Sequence, residues 1–581
     1  MFKYYRPIIA GAMALAFGCP SISANASDIQ FTDVTASVGL SAESYGGTTR
    51  HSLGVVWLDV NNDGYLDIFA TNGFNADEND TLRPHLYLGN ATGTFTLSDD
   101  LLPDFENFEY AGAVAADYDR DGDIDIFVYT SNEKWNVRTV EDNPYGGPPN
   151  LLLKNSFVEN GNNAGPGLFT DVATAAGVDG CSARFKKVIT RAERSSAVKS
   201  PHRCSQSRSA SFFDYDLDGW IDLYLGQMVI NRTSSDDAAE DAIGKRANMD
   251  VIYRNQGDGT FRLALDVIRA DDATNRGALV TRAGHLNDDM WPDIYVGNAG
   301  GMMPGFEEEL TDAILINDGA GHLDLSHEYI GRDTPAAMGI AFGDVNQDGA
   351  FDIYITDAPT HPIDQSDPNT FGNTFYMSHE TGFSANIARP TQTEFVMSWG
   401  ANFADFDRDG ELDLFAAAAR SNTSTQLGGD SAIFTNLQGW KTKQLDIATT
   451  NARGSALADY DGDGDHDILV INQDGGLQLF RNDSVNPTAK SFSLDVIATR
   501  SNANAIGLRA DLYTTGGKRL TQQITGGNSA HSQDDSTLIF GLGDDTIDRL
   551  EIRWPHQATP PQLITSINSD SLTVTEPNVA D

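Results

Sequence analysis

Aspartates recur along this chain at a spacing that suits a hard cation. The pattern D-x-[DN]-x-D-G-x-x-D, followed by two bulky apolar residues, occurs six times in full. Side-chain oxygens at positions 1, 3, 5 and 9 of such a loop point inward around one ion, and the glycine at position 6 allows the backbone to turn where a side chain would obstruct it. Calcium takes six to eight hard oxygens in a flexible geometry, which this loop offers. The expected ligand sets are Asp59, Asn61, Asp63 and Asp67; Asp117, Asp119, Asp121 and Asp125; Asp214, Asp216, Asp218 and Asp222; Asp344, Asn346, Asp348 and Asp352; Asp405, Asp407, Asp409 and Asp413; and Asp459, Asp461, Asp463 and Asp467. A seventh copy, His285 to Asp293, has His285 in place of the first aspartate and Met290 in place of the glycine, so it stands apart from the six.

Two other readings of the loops fail on chemistry. An EF-hand needs a glutamate at position 12 and flanking helices. Position 12 here is Ala70, Val128, Leu225, Ile355, Ala416 or Val470, and the flanks have strand character. Metal-free turns would crowd up to four carboxylates together without a compensating charge. Nor do six near-equivalent loops distributed through the chain make one catalytic centre. Their expected role is structural: each pins the two strands it joins.

The elements that must carry these loops repeat with them. The seven copies start at 59, 117, 214, 285, 344, 405 and 459, giving a unit near 60 residues with insertions in the second and third. A short apolar run precedes each copy, as at Gly54 to Leu58, and another follows, as at Ile68-Phe69. A third run comes 15–25 residues later in most copies, as at Leu86 to Leu88 and Leu477 to Phe480, and a fourth closes several units, as at Gly93-Thr94-Phe95. These runs are short, turn-bounded and rich in β-branched and aromatic residues, which makes them strands. Four strands in each of seven units predict an all-β, seven-bladed β-propeller. Phe31-Thr32-Asp33-Val34 has the fourth-strand pattern, whereas the last unit stops at its third strand. The N-terminal segment is therefore expected to complete the seventh blade.

Over about residues 29–485 the chain resembles the integrin-α-like propeller families built from FG-GAP or VCBS repeats. That resemblance implies a further calcium ligand, the carbonyl at position 7. After Asn482 the repeat gives way to Asn502-Ala503-Asn504-Ala505-Ile506-Gly507, Gly526-Gly527-Asn528, Phe540-Gly541-Leu542-Gly543 and Ile552-Arg553-Trp554-Pro555. Residues 490–577 look like an ASPIC/UnbV domain, a small β-rich unit, with Arg509 departing from the small residue expected after Gly507-Leu508. Together the two regions make the chain similar to the cartilage acidic protein family, whose bacterial members are secreted. The resemblance implies a fold and calcium, and no reaction.

Charge and the N-terminus agree with export. Lys3 and Arg6, the apolar run Ile8 to Phe17, and Ala24-Asn25-Ala26 predict a signal peptide over 1–26. Its removal takes two of 39 basic residues and leaves 37 against 83 acidic ones, a net charge of −46. So negative a chain does not suit nucleic acid as a partner. No later stretch of about 18 apolar residues predicts a membrane span. Cys181 and Cys204 are expected to form a disulfide in an exported chain. Calcium is the expected cofactor, and the expected compartment is the periplasm, the cell surface or the medium.

The leading functional expectation is a monomeric, calcium-stabilised protein of adhesion or ligand binding, its partner a protein or a glycan. The alternative is a carbohydrate-active lyase or dehydratase on the face opposite the calcium loops, where Arg50, His51, His361 and Asp364 sit in connecting segments. That face should hold the long insertions Ser131 to Pro148, Asp179 to Ser209, Gln227 to Asn248 and Asp357 to Gly372. The second of these is basic, with Arg184, Lys186, Lys187, Arg191, Arg194, Lys199 and Arg203 against Glu193 between its cysteines. It suits either the chain's own acidic surface or an acidic glycan.

Overall fold

A computed structural model describes residues 29–41, 54–71, 83–106, 108–131, 148–181, 204–227, 250–269, 277–298, 312–326, 337–357, 373–379, 382–385, 398–418, 431–435, 437, 443–449, 451–473, 476–486 and 488–578. The fold is all-β, as expected; its helical content among the described residues is the single turn Ala173–Ala176 and a 3-10 turn at Asp99–Leu101. No helix among them is long and apolar enough to cross a membrane.

Seven of the sheets are four-stranded antiparallel meanders in the repeat region. Each begins with a strand that leads into an aspartate loop: Val55–Leu58, Glu109–Ala116, Ser207–Phe213, Ala278–Gly284, Ala337–Gly343, Ser398–Ala404 and Ala452–Ala458. The loop returns into a second strand that starts on the ninth loop residue, as in Asp67–Ala70 and Asp413–Ala418. The predicted third strands are present in every sheet, from His85–Leu88 to Leu477–Asn482. The seventh sheet takes its outer strand from the N-terminal side: Phe31–Asp33 pairs antiparallel with Leu477–Asn482, Phe31 opposite Asn482. Phe31–Asp33 thereby covers the edge that Leu477–Asn482 would otherwise expose.

The apolar core lies in seams between consecutive sheets. Val56, Phe69 and Leu86 of the first sheet pack with Ala113, Ile126 and Leu153 of the second. Trp57 and Ile68 of the first pack with Ala456 and Leu469 of the seventh. The first strands touch from each sheet to the next and from the seventh back to the first. They are rich in alanine, glycine and serine because larger side chains would not fit: a Cβ on Gly112 would lie 2.1 Å from the Tyr129 hydroxyl.

The C-terminal region forms a three-stranded and a four-stranded sheet. Their strands are Lys490–Ile497, Arg509–Thr514, Arg519–Gln523, Leu538–Gly543, Ile547–Arg553, Gln562–Thr565 and Ser571–Thr575, a β-rich unit as expected. Its segment 523–535 enters the centre of the repeat region. There it bonds to the exposed edges of the first strands: Phe212 N–H donates to the Gly526 carbonyl at 2.8 Å, Gln533 N–H to the Val55 carbonyl at 3.0 Å, Ala401 N–H to Ser529 Oγ at 2.8 Å, and Leu457 N–H to Asp534 Oδ1 at 2.7 Å. Backbone groups that no neighbouring strand could satisfy thereby find partners.

Candidate metal centres

Each of the six intact loops is wound by its own first aspartate. In the loop from Asp405, Asp409 N–H and Gly410 N–H donate to the two oxygens of Asp405 at 3.0 and 2.7 Å. The same pair of bonds forms on Asp59, Asp117, Asp214, Asp344 and Asp459. The sixth-position glycines have φ between +81° and +97°, Gly410 at +83° and Gly122 at +97°. Position 4 is also left-handed, at Asn62, Arg120, Leu217, Gln347, Arg408 and Gly462. That second left-handed residue was not legible from side-chain type, because arginine, leucine and glutamine do not favour it. It is held by the wrap around the first carboxylate.

The carboxylates converge as the spacing implies in four loops. One oxygen each from Asp117, Asp119 and Asp125, from Asp214, Asp216 and Asp218, from Asp405, Asp407 and Asp413, and from Asp459, Asp461 and Asp467 lie within 4.8 Å of one another. In the loops from Asp59 and Asp344 the third position is asparagine, and its amide donates to the fifth-position carboxylate, Asn61 to Asp63 at 3.0 Å and Asn346 to Asp348 at 2.9 Å. Burial first, and neighbouring aspartates second, hold Asp405 and Asp413 well above the usual carboxylate range. Burial likewise pushes Asp117 up to about 6 and Asp467 up to about 9.

These sites fit a hard divalent cation. Asp119 Oδ1 and Asp216 Oδ1 are buried and receive no hydrogen bond among the described residues. Their other oxygens are taken by third-strand cations: Lys154 Nζ bonds Asp119 and, at 2.8 Å, Asp121, and Arg254 Nη2 lies 2.6 Å from Asp216 and 3.0 Å from Asp218. A buried carboxylate oxygen without a donor carries a cost of a few kcal/mol, and an ion coordinated there would relieve it.

The ninth-position aspartate does more than the ligand reading assigns to it. Asp222 takes Tyr215 N–H on one oxygen at 3.2 Å and Asn255 N–H on the other at 2.8 Å, bolting the loop to the third strand. Asp67, Asp125, Asp352 and Asp467 do the same. So does Asp293 in the damaged copy, with Leu286 N–H at 3.1 Å and Asn317 N–H at 2.9 Å. The bolt thus persists where the first ligand has become a histidine. His285 is buried, its Nε2 lies 2.7 Å from the Gly507 carbonyl, and burial lowers it to about 4. That position serves contact with the C-terminal region.

The C-terminal region lies on the aspartate-loop side of the repeat region. Gly543 N–H donates to the Arg408 carbonyl at 2.8 Å, Lys518 Nζ to the Asp409 carbonyl at 2.8 Å, and Gln557 Nε2 to the Asp216 carbonyl at 2.9 Å. Arg509, the sequence's departure from the expected small residue, is buried; it pairs with Asp511 and bonds the Gly349 carbonyl. Nothing in the repeat pattern signals this placement. The Cys181–Cys204 disulfide is present as expected. Arg50, His51, His361 and Asp364, the basic residues 184–203, and the segment 1–26 lie outside the described residues.

Comparisons with known proteins agree with this arrangement. The FG-GAP-like repeat model matches residues 59–128 and 285–355, and the ASPIC and UnbV model matches residues 498–580. Cartilage acidic protein 1 of Homo sapiens is 27% identical over 281 residues, 45% of this chain and 38% of the relative. The Mus musculus and Xenopus tropicalis proteins of that name are 26% identical, over 45% and 37% of this chain and 39% and 33% of theirs. The matched segment thus spans well under half the length of these curated relatives. Among solved structures, a Bacillus licheniformis rhamnogalacturonan lyase aligns with a TM-score of 0.40 at 13% identity, covering 78% of this chain and 75% of that one, too slight a likeness to carry an argument. With FG-GAP-like repeats followed by an ASPIC and UnbV domain, the chain is similar to the cartilage acidic protein 1 relatives.

Proposed function

We propose that this is an exported calcium-binding protein in which seven blades close into a propeller over residues 27–485, with an ASPIC/UnbV-like domain over 490–577. Its proposed role is adhesion or ligand binding outside the cytoplasm, to a protein or glycan. The cyclic contact of first strands and the seam between the seventh and first sheets support the closed seven-bladed reading. The disulfide supports an oxidising compartment.

One observation carries the calcium reading. In the loop from Asp117, oxygens of Asp117, Asp119 and Asp125 converge, and Asp119 Oδ1 is buried with no donor reaching it among the described residues. Oxygen-only donors in a pliant loop favour calcium over magnesium, which demands tighter octahedral geometry. The proposed ligand sets are those named from the sequence. Calcium bound by the native state alone raises stability by mass action. Chelation should therefore lower the melting temperature by many degrees; added calcium should restore it, and magnesium should do so poorly. A melting temperature unmoved by chelation would contradict the reading.

A further inference from the structure

We infer that a cavity of about 100 Å³ between the repeat region and the C-terminal domain binds a small carboxylate whose other end donates hydrogen bonds, as an α-amino acid or a hydroxy acid does. Four polar residues line it, Arg282, Gln523, Asp534 and Asp535, and none of them belongs to the calcium ligand sets, although Asp459 also borders the space. The site is thus additional to the calcium reading.

Arg282 is the anomaly that marks the cavity. It stands three residues before the first loop position of the fourth repeat, where the other six repeats have Val56, Val114, Ser211, Ala341, Asn402 and Ala456. Only in the fourth does this closely packed position carry a charge. The guanidinium lies over the Phe342 ring, 4.8 Å from its centre, and the residue retains 7% exposure. Nη1 donates to the Ile340 carbonyl at 3.0 Å, and Nε is buried without an acceptor. Burial lowers Arg282 to about 10, and the charge of Asp534 offsets that only in part. A buried cation without a paired anion is costly, and a ligand carboxylate would supply the anion in a geometry that the guanidinium fork matches. Gln523 adds a second idle donor: its Oε1 accepts His285 N–H at 3.0 Å, while its Nε2 is buried with no partner.

The same cavity holds acceptors. Asp534 Oδ1 takes Leu457 N–H at 2.7 Å and Asn402 Nδ2 at 3.1 Å, and Asp535 Oδ2 takes Thr537 N–H at 3.2 Å. Two carboxylates lining a space with one guanidinium repel a dianion such as sulfate, and they favour a ligand that brings donors along with its single carboxylate. A cavity of ~150 Å³ takes benzene, so this one suits roughly five non-hydrogen atoms, the size of glycine or glycolate. Asp534 and Asp535 are half-buried and Ser536 beside them is exposed, so the wall reaches the surface there and gives a solute a way in.

Isothermal titration calorimetry of the full chain tests this, with calcium in excess so that Asp459 stays engaged. Four probes of about five non-hydrogen atoms are compared: glycine, glycolate, propionate and sulfate. Glycine or glycolate should bind with a Kd of ~1 mM or tighter, within reach of so small a ligand. The tighter of the two tells whether the donor is an ammonium or a hydroxyl. Propionate, which has the carboxylate and no donor, and sulfate should each bind at least ~10-fold more weakly. Arg282→Gln should weaken the better probe at least ~10-fold. If that variant does not fold, the order of the four probes on the unaltered chain decides. Propionate or sulfate binding as tightly as glycine and glycolate, or no binding of any probe up to ~10 mM, as in a cavity that holds water alone, would overturn the inference and leave the calcium reading standing.

Discussion

Asn255 Nδ2 donates to the Tyr118 carbonyl at 2.8 Å, joining the third strand of the third sheet to the aspartate loop of the second. The same asparagine bonds the Ile221 carbonyl of its own loop at 3.0 Å and accepts Gly257 N–H at 2.9 Å. Asn155, Asn317 and Asn482 repeat the link, to the carbonyls of Val60, Tyr215 and Phe406. Each aspartate loop joined this way is thus fixed to two sheets, its own and the next.

Asn255→Ala should lose ~2–3 kcal/mol of stability, because two buried carbonyls and an N–H lose a partner. Asn255→Asp should be no better, since a carboxylate cannot donate. Gln256→Ala, one residue on and exposed, should change stability by less than ~0.5 kcal/mol. Urea unfolding of the three variants reads this directly; an Asn255→Ala cost below ~0.5 kcal/mol would count against the link.

The bolt and the ligand roles separate at different loops. Asp293→Ala should destabilise by ~2–3 kcal/mol whether or not calcium is present, since both its oxygens hold buried backbone N–H groups. Asp409→Ala should lose calcium-dependent stability, and far more of it than Asp289→Ala in the damaged copy. Melting curves with calcium and with chelator distinguish these patterns. A calcium-dependent effect of Asp293→Ala would be the wrong sign for a bolt.

Asp250 supplies a pH dependence away from the proposed ligands. It is buried, accepts the Tyr224 hydroxyl and Gln227 N–H at 2.8 Å each, and burial raises it from 3.8 to about 7. Its folded value exceeds its unfolded one, so its contribution is full below about pH 4 and is lost as pH rises to about 7. Relative to Asp250→Asn, the unaltered chain should therefore weaken from pH 5 to pH 8, by a few kcal/mol at most. Parallel pH profiles of the two would contradict this.

The seventh sheet depends on the N-terminal strand. Thr35 Oγ1 accepts Leu479 N–H at 3.0 Å and Val34 N–H donates to the Leu479 carbonyl at 2.9 Å, beyond the ladder of Phe31–Asp33. Deleting residues 28–38 should expose that edge and cut the soluble yield to near zero. A stable, soluble truncated chain would show that the ring closes by other means.

Much of this was legible in sequence because the repeat writes each unit's local physics several times. The alternation of apolar runs and Asp-Gly turns marks four strands and one loop per unit, and the strand-like Phe31-Thr32-Asp33 points to its pairing with the last repeat strand, Leu477–Asn482. The third-strand asparagines at 155, 255, 317 and 482 were equally visible, each two residues after a buried apolar position, but only the three-dimensional neighbour gives them a role. The docking of the C-terminal region was not legible. It depends on shape and on single contacts such as Gly541 against Asp405, and segment 523–535 has no apolar periodicity because it bonds strand edges through its backbone and short polar side chains.

The central claim is that the aspartate loops hold calcium, and counting ions tests it most directly. Equilibrium dialysis of the full chain against calcium, with bound metal measured by mass spectrometry, should give about six ions per chain, one per intact loop. Asp409→Ala should bind one fewer, and Asp289→Ala the same number as the unaltered chain. A chain that retains no calcium, or holds magnesium as readily at equal concentration, would contradict the account.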